Sequence, residues 1–428
     1  MKLQVTPCRR YLMCEDGSPF FFLGDTAWEL FHRLDREEVD HYLSNRARQG
    51  FTVIQAVALA EFEGLTVPNS YGRLPLKQTD GQYDPTQPDT DGEYSYWDHV
   101  DYAVRKAAEH GLVIGLLPTW GDKYNQAWGK GPEVFTPENA RIYGRWIATR
   151  YRDSENILWI MGGDRPLTTD VHRAIVRAMA EGIREVDSDH LITFHPCGEQ
   201  SSYDHVGGEA WLDFHMLQTG HAVGHYDCWR ALRRTLDLDH SRPALDGEPR
   251  YEDHPACFNT SYGVMWDAAD TRNSAYWDVL EGACGHTYGN HCIWSFNKEP
   301  VDYFRYHWTE ALTHEGAETM GFVRKLVESR LYFERRPAPD LVHDDGDLLN
   351  HTPACRGERY AFIYSPQGLP LKVNLGILPG RLILVSWYNP RTGEEKLQTL
   401  LPNRGAVTLV PPTSGRGQDW VLILDGKD

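Results

Sequence analysis

Between residues 20 and 296 short apolar runs alternate with amphipathic stretches, and this alternation restricts the fold more than any other feature. Eight runs read as strands, at 20–24, 51–59, 113–118, 157–162, 191–195, 212–217, 243–247 and 291–296. Strands separated by helical patterns form parallel βα units. A count of eight favours an α/β fold of the closed (β/α)8 TIM-barrel type over an open doubly wound sheet. No GxGxxG or GxxxxGK[ST] follows any run, which removes the usual phosphate-loop folds. Amphipathic stretches cover 36–49 and 96–110. Asp35 and Glu38 have the spacing of a capping box before the first of these. Thr136 and Pro137 supply a cap and a first-turn proline before a helix at 138–150.

The pattern changes after a closing helix at 316–332. Residues 335–340 (RRPAPD) read as a linker, and short runs follow at 360–364, 371–375, 382–388, 407–409 and 420–424. Glycine, proline and asparagine separate them, the pattern of a small antiparallel β-sandwich. The expected organisation is a barrel over 1–335 and a sandwich accessory domain over 340–428. Segment 60–97 follows the second strand and so projects onto the C-terminal face, as a substrate lid or a surface insertion.

Charge and composition exclude several classes. With 43 Lys+Arg against 61 Asp+Glu the net charge is −18, so a general nucleic-acid binder, which needs a basic surface, is not expected. No run approaches the roughly 18 apolar residues of a membrane span. The first residues lack an apolar signal region, and the eight cysteines contain no CxxC pair. Reduced thiols in a cytoplasmic protein are the expectation. Nothing in the sequence indicates the oligomeric state. The 14 Trp and 22 Tyr are many; aromatic faces stack on sugar rings and also fill large cores.

Barrel chemistry concentrates at the C-terminal ends of strands. Two carboxylates, Asp164 and Glu248, follow glycines at the ends of the fourth and seventh strands, on roughly opposite sides of a narrow mouth. Glycosidic cleavage needs such a pair, one protonated to donate to the leaving oxygen and one ionised. Alone, either acid could merely cap a helix or pair with its neighbouring arginine, Arg165 or Arg250. Together they point to catalysis. Asp246 lies deeper and is better placed to orient a neighbour, whereas Glu252 and Asp253 read as solvated loop residues. Trp28, Trp120 and Trp294 offer stacking faces for a sugar, and Asp25, Gln55, His195, His215 and Gln218 offer hydrogen bonds to its hydroxyls. The histidines at 215, 221, 225, 286 and 291 form no HExxH motif, and no GxSxG follows a strand. Neither a metal nor a cofactor is expected.

The segments FFFLGDTAWELFHRLDREEVDHYLSNRARQGFTVIQA, PNSYGRLPL, ILWIMGGDRP and RPALDGEPRYE resemble the apiosidase-like barrel glycosidases of glycoside hydrolase family 140, over residues 10–335. WYNPRTGE at 387–394 resembles the sandwich, labelled collagen-binding, that often follows such barrels. The resemblance implies a retaining glycosidase with Asp164 as acid/base and Glu248 as nucleophile. It also implies release of apiose from galacturonic acid in pectic material, making an oligosaccharide the partner. Relatives in the wider clan carry Asn-Glu where this chain has Gly163-Asp164. The shorter Asp requires the backbone or the sugar to come closer. Two rivals stand beside this assignment: a metal-dependent barrel hydrolase, and a non-catalytic carbohydrate-binding protein using the same aromatics.

Overall fold

The computed structural model describes residues 2–221, 227–301 and 303–428. Eight strands build the barrel: β1 Phe22–Thr26, β2 Val53–Val57, β3 Val113–Leu117, β4 Ile157–Gly162, β5 Ile192–His195, β6 His215–Gln218, β7 Ala244–Asp246 and β8 Gly285–Tyr288. They run parallel in the order β5-β4-β3-β2-β1-β8-β7-β6. Between β5 and β6 the ring closes through individual bonds, Asp213 N to Ile192 O (2.9 Å) and Thr193 Oγ1 to Phe214 O (2.7 Å). Barrel strands are covered on both faces, which is why a run such as ILWIMG is apolar throughout and wholly buried.

The barrel helices are α1 Arg36–Arg48, α2 Tyr96–Glu109, α3 Pro137–Tyr151, α4 Asp170–Arg184, α5 Ser202–Val206, α6 Cys228–Leu238, α7 Ala268–Leu280 and α8 Glu315–Glu328. Their starts follow local chemistry. Asp35 accepts from Glu38 N (2.9 Å) while Glu38 accepts from Asp35 N (3.0 Å), satisfying two otherwise unpaired donors. Thr136 caps α3, with Pro137 as its first residue. Among the described residues no helix is long and apolar enough to cross a membrane.

The first and second strands begin two residues later than expected, at Phe22 and Val53, and the sixth three residues later, at His215. The eighth is Gly285–Tyr288 rather than 291–296, which forms turns above the barrel mouth. Its sequence, GHTY, hides it. A Cβ on Gly285 would stand 2.2 Å from Phe22 O, so β8 needs a glycine where it meets β1, and two of its four residues are polar.

The C-terminal strands are β9 Arg336–Pro337, β10 Ala354–Arg356, β11 Tyr360–Ser365, β12 Leu371–Leu375, β13 Leu382–Asn389, β14 Glu394–Pro402, β15 Gly405–Leu409 and β16 Trp420–Lys427. A six-stranded sheet runs β9-β10-β11-β16-β13-β14, and β12 pairs with β15. The expected linker thus contains β9. β14, a polar edge strand, carries no apolar run and escaped notice. In β11, Ala361 and Ile363 face the sandwich core, whereas Tyr360, Phe362 and Tyr364 join the barrel core. The period-two alternation of a strand places one sheet face on each core. Polar contacts seal the junction: Arg272 to Asp419 (3.1 Å, both buried), Tyr364 OH to Asn273 Oδ1 (2.6 Å) and Trp277 Nε1 to His351 O (2.8 Å).

Candidate active site

Strand β4 ends in Gly162, and the chain turns through Gly163 and Asp164 with φ of 91°, 118° and 41°. A Cβ on Gly162 would lie 2.3 Å from His195 O, and one on Gly163 2.8 Å from the Trp120 ring. Only glycine fits both the backbone angle and the space. Asp164 is a non-glycine residue held in the left-handed region, a strained conformation typical of functional positions. Gly163 N donates to His195 O (3.1 Å) and Gly121 N donates to Gly163 O (3.0 Å), which pins the turn.

The turn sets Asp164 at the mouth. Its Oδ2 lies 3.2 Å from Arg165 Nη1, and Gln218 hydrogen-bonds to it. Arg165 is fully buried and also reaches Glu61 Oε1 at 2.8 Å. Burial, then the negative charge of Glu248, raise the Asp164 pKa to about 6, against the opposing pull of Arg165, His195 and Gln218. Burial likewise pushes Glu61 up to about 7 despite Arg165.

Glu248 stands across the mouth, two residues beyond β7. His221 Nε2 contacts its Oε1 at 2.9 Å, His195 Nε2 lies 3.0 Å from its Oε2, and the Tyr251 hydroxyl bonds to it as well. Burial alone would raise this carboxyl. The two histidines outweigh burial and hold it at about 2. Beneath it, Asp246 Oδ1 accepts from Glu248 N (3.2 Å) and Asp246 Oδ2 accepts from Thr219 Oγ1, so Asp246 orients its neighbour rather than facing the mouth. Gly247 permits this register, since a Cβ there would lie 2.3 Å from the Met216 sulfur.

Trp28, Trp120 and His195 form one wall, with ring centroids 5.1 Å (Trp28–Trp120), 5.4 Å (Trp28–His195) and 5.7 Å (Trp120–His195) apart. Trp28 Nε1 donates to Tyr251 OH (3.0 Å). Gln55 lies deeper, its Nε2 donating to Gly247 O (2.9 Å) behind Glu248. Trp294 sits on the rim, stacked at 5.4 Å on Phe62 from segment 60–97.

Two expected hydroxyl-binding residues are elsewhere. Asp25 points from β1 into the helix layer and meets Arg46 Nε (2.6 Å) and Tyr42 OH (2.5 Å). His215 also points outward, to Ser202 Oγ (2.8 Å) and Asp239 Oδ2 (3.0 Å), so both its ring nitrogens are engaged away from the mouth. The alternative pairing of Glu248 with Arg250 is not made, since Arg250 turns to Ser274 Oγ on α7 (2.9 Å). Glu252 is not solvated but buried, accepting from Tyr288 OH (2.5 Å) and Gly316 N (3.0 Å).

Sequence reasoning missed Glu61, His221 and Tyr251 as neighbours of the acids, because each comes from a loop whose path no local pattern reveals. His221, His254 and His291 gather beside Glu248, with ring centroids 4.6 Å (His221–His254) and 4.5 Å (His254–His291) apart. Burial lowers His254, and it lowers His291 to about 3. Among the described residues no three His, Cys, Asp or Glu are grouped to hold a metal ion, and His225 lies outside the described residues.

A family model described as "Apiosidase-like, catalytic domain" matches residues 6–334. The chain belongs to the apiosidase-like family. A second model, "Putative collagen-binding domain of a collagenase", matches residues 337–425. A solved structure titled "Glycoside hydrolase" is 32% identical to this apiosidase-like chain, with TM-score 0.90, covering 99% of this chain and 97% of its own. A glycoside hydrolase family 5 structure from Bacteroides vulgatus ATCC 8482 is 31% identical, with TM-score 0.90, covering 99% and 93%. An endo-1,4-beta-mannanase from Rhizomucor miehei shares only the fold, at 13% identity and TM-score 0.52, covering 77% of this chain and 100% of its own. No curated protein matches the sequence. By family and by these neighbours the apiosidase-like chain is a glycoside hydrolase.

Proposed function

We propose that this enzyme is a retaining glycosidase acting on plant-derived, pectic oligosaccharides, with Asp164 as acid/base and Glu248 as nucleophile. The observation that carries the proposal is the opposite tuning of two carboxyls in one mouth, the half-buried Asp164 raised to about 6 and the buried Glu248 lowered to about 2. Pairs pushed apart in this way divide into an acid and a base. Asp164 donates its proton to the glycosidic oxygen as the ionised Glu248 attacks the anomeric carbon. The leaving alcohol departs and a glycosyl ester forms on Glu248. Asp164, now a carboxylate, takes a proton from water, whose oxygen attacks the same carbon and releases Glu248. Each attack inverts the centre, so the two together retain its configuration. His195, His221 and Tyr251 keep Glu248 ionised and aimed, and the Trp28–Trp120 wall offers the sugar an apolar face. In this scheme the chemistry belongs to residues 1–335, and the sandwich over 340–428 braces the barrel. The family resemblance favours apiose as the sugar released.

Hydrolysis of aryl glycosides and short pectic oligosaccharides, comparing wild type with Glu248→Ala, tests the proposal. Glu248→Ala is expected to lose at least a thousandfold in rate. Azide is expected to restore turnover and yield a glycosyl azide of inverted configuration. Comparable rates in the variant would remove Glu248 from the reaction.

A further inference from the structure

The loop after β3 exposes an aromatic side chain that the reaction scheme does not use. Trp128 is 62% exposed, yet its ring covers the Arg165 guanidinium, with Cζ 4.5 Å from the centroid. Arg165 Nη1 donates to Asp164 O (2.7 Å) as well as contacting the Asp164 carboxylate, so the indole stands one side chain away from the proposed acid. The loop that carries it is firmly anchored. Asp122 and Lys123, both fully buried, lie 2.9 Å apart, and together they clamp Gly131: Lys123 Nζ donates to Gly131 O (3.1 Å) and Gly131 N donates to Asp122 Oδ2 (2.9 Å). A Cβ on Gly129 would lie 2.4 Å from Asp122 Cβ and 2.7 Å from Arg165 Nη2, so the chain presses against Arg165 where only glycine fits. A buried ion pair is costly to desolvate. Using one to hold a tip whose largest side chain remains in water makes sense if the position of that indole matters.

We propose that Trp128 is the platform of a leaving-group subsite, stacking its free face on the apolar C–H face of the saccharide whose glycosidic oxygen Asp164 protonates. The inner face of the indole is occupied by Arg165, leaving the outer face for the sugar. This inference rests on Asp164 being the acid, because the departing sugar lies on the side of the group that protonates it.

The test compares the pectic oligosaccharide that the wild-type enzyme cleaves with the glycosyl fluoride of the sugar it releases, which has no leaving-group ring. Trp128→Ala is expected to lower kcat/KM on the oligosaccharide about tenfold, mainly through KM, and to leave the fluoride unchanged. Trp128→Phe is expected to recover most of the loss, and the pH profile of either variant to match the wild type. Equal losses on both substrates, no loss on either, or an alkaline limb displaced through Arg165 would each overturn the platform. Asp164→Ala in the same assay reads the underlying assignment separately through kcat/KM. Formation of the glycosyl-enzyme from the fluoride needs no proton donor and should be spared, although its hydrolysis, and so kcat, slows for want of the base, whereas kcat/KM on the oligosaccharide should fall. Equal loss of both substrates in that variant would remove Asp164 as the acid while leaving the Trp128 comparison readable.

Discussion

At the scale of single residues, the proposed reaction needs Asp164 protonated, which holds below about 6, and Glu248 ionised, which holds above about 2. The value of kcat/KM is therefore expected to stay level through mildly acidic pH and to fall about tenfold per unit well above pH 6. Removing the negative charge of Glu248 removes a cause of the raised Asp164 pKa. In Glu248→Gln the Asp164 carboxyl should therefore titrate at lower pH, as a carbon-13 NMR titration would show. Glu61 shares Arg165 with Asp164. With its pKa at about 7, Glu61 is already largely neutral where Asp164 titrates, so Glu61→Gln should leave the alkaline limb of kcat/KM near its wild-type position. A limb moved by about a full pH unit would mean that Glu61 is ionised there and competes with Asp164 for Arg165. The two acids themselves were legible in the sequence because each follows a glycine at a strand end. The errors at Asp25 and His215 have a common cause. β1 and β6 are buried along their whole length, so no polar–apolar alternation marks which residues point inward.

At the scale of elements, the turn after β4 does the positioning. Gly163 combines φ of 118° with contact to the Trp120 ring, so Gly163→Ala adds both strain and a clash. The strain alone costs about 1–3 kcal/mol. Because the turn carries Asp164, kcat should fall by more than the loss in Tm suggests; a drop in Tm with kcat unchanged would show that the turn does not set the acid. Strands with strong apolar runs and helices with capping boxes were readable locally. β8 was not, since its glycine and polar residues answer to β1 and to Asp278, whose Oδ2 meets His286 Nδ1 at 3.0 Å. β14 was hidden for the opposite reason, being a polar edge with one partner strand.

At the scale of the whole molecule, the sandwich shares the barrel's core as well as touching its surface. Tyr276 stacks on Tyr364 at 4.9 Å, and His351 bonds Glu281 at 2.8 Å while stacking on Trp229. Asp419→Ala would leave Arg272 buried against Tyr364 with only the exposed Glu315 as a counter-charge. That change should cost about 3–5 kcal/mol and lower Tm in a single cooperative transition. Two separate transitions, with the barrel's unmoved, would show that the sandwich does not support it. The sequence by itself determined the βα repeat, the helix starts, the change of architecture near residue 335 and the two glycine–acid strand ends, because these follow from neighbours a few residues apart. Only the tertiary structure decided which side chains enter the mouth, that His195, His221 and Tyr251 meet Glu248, and that Glu61 shares Arg165. Those choices, and the charge states they impose, depend on burial and on contacts between loops far apart in the chain, which leave no periodic trace in the residues themselves.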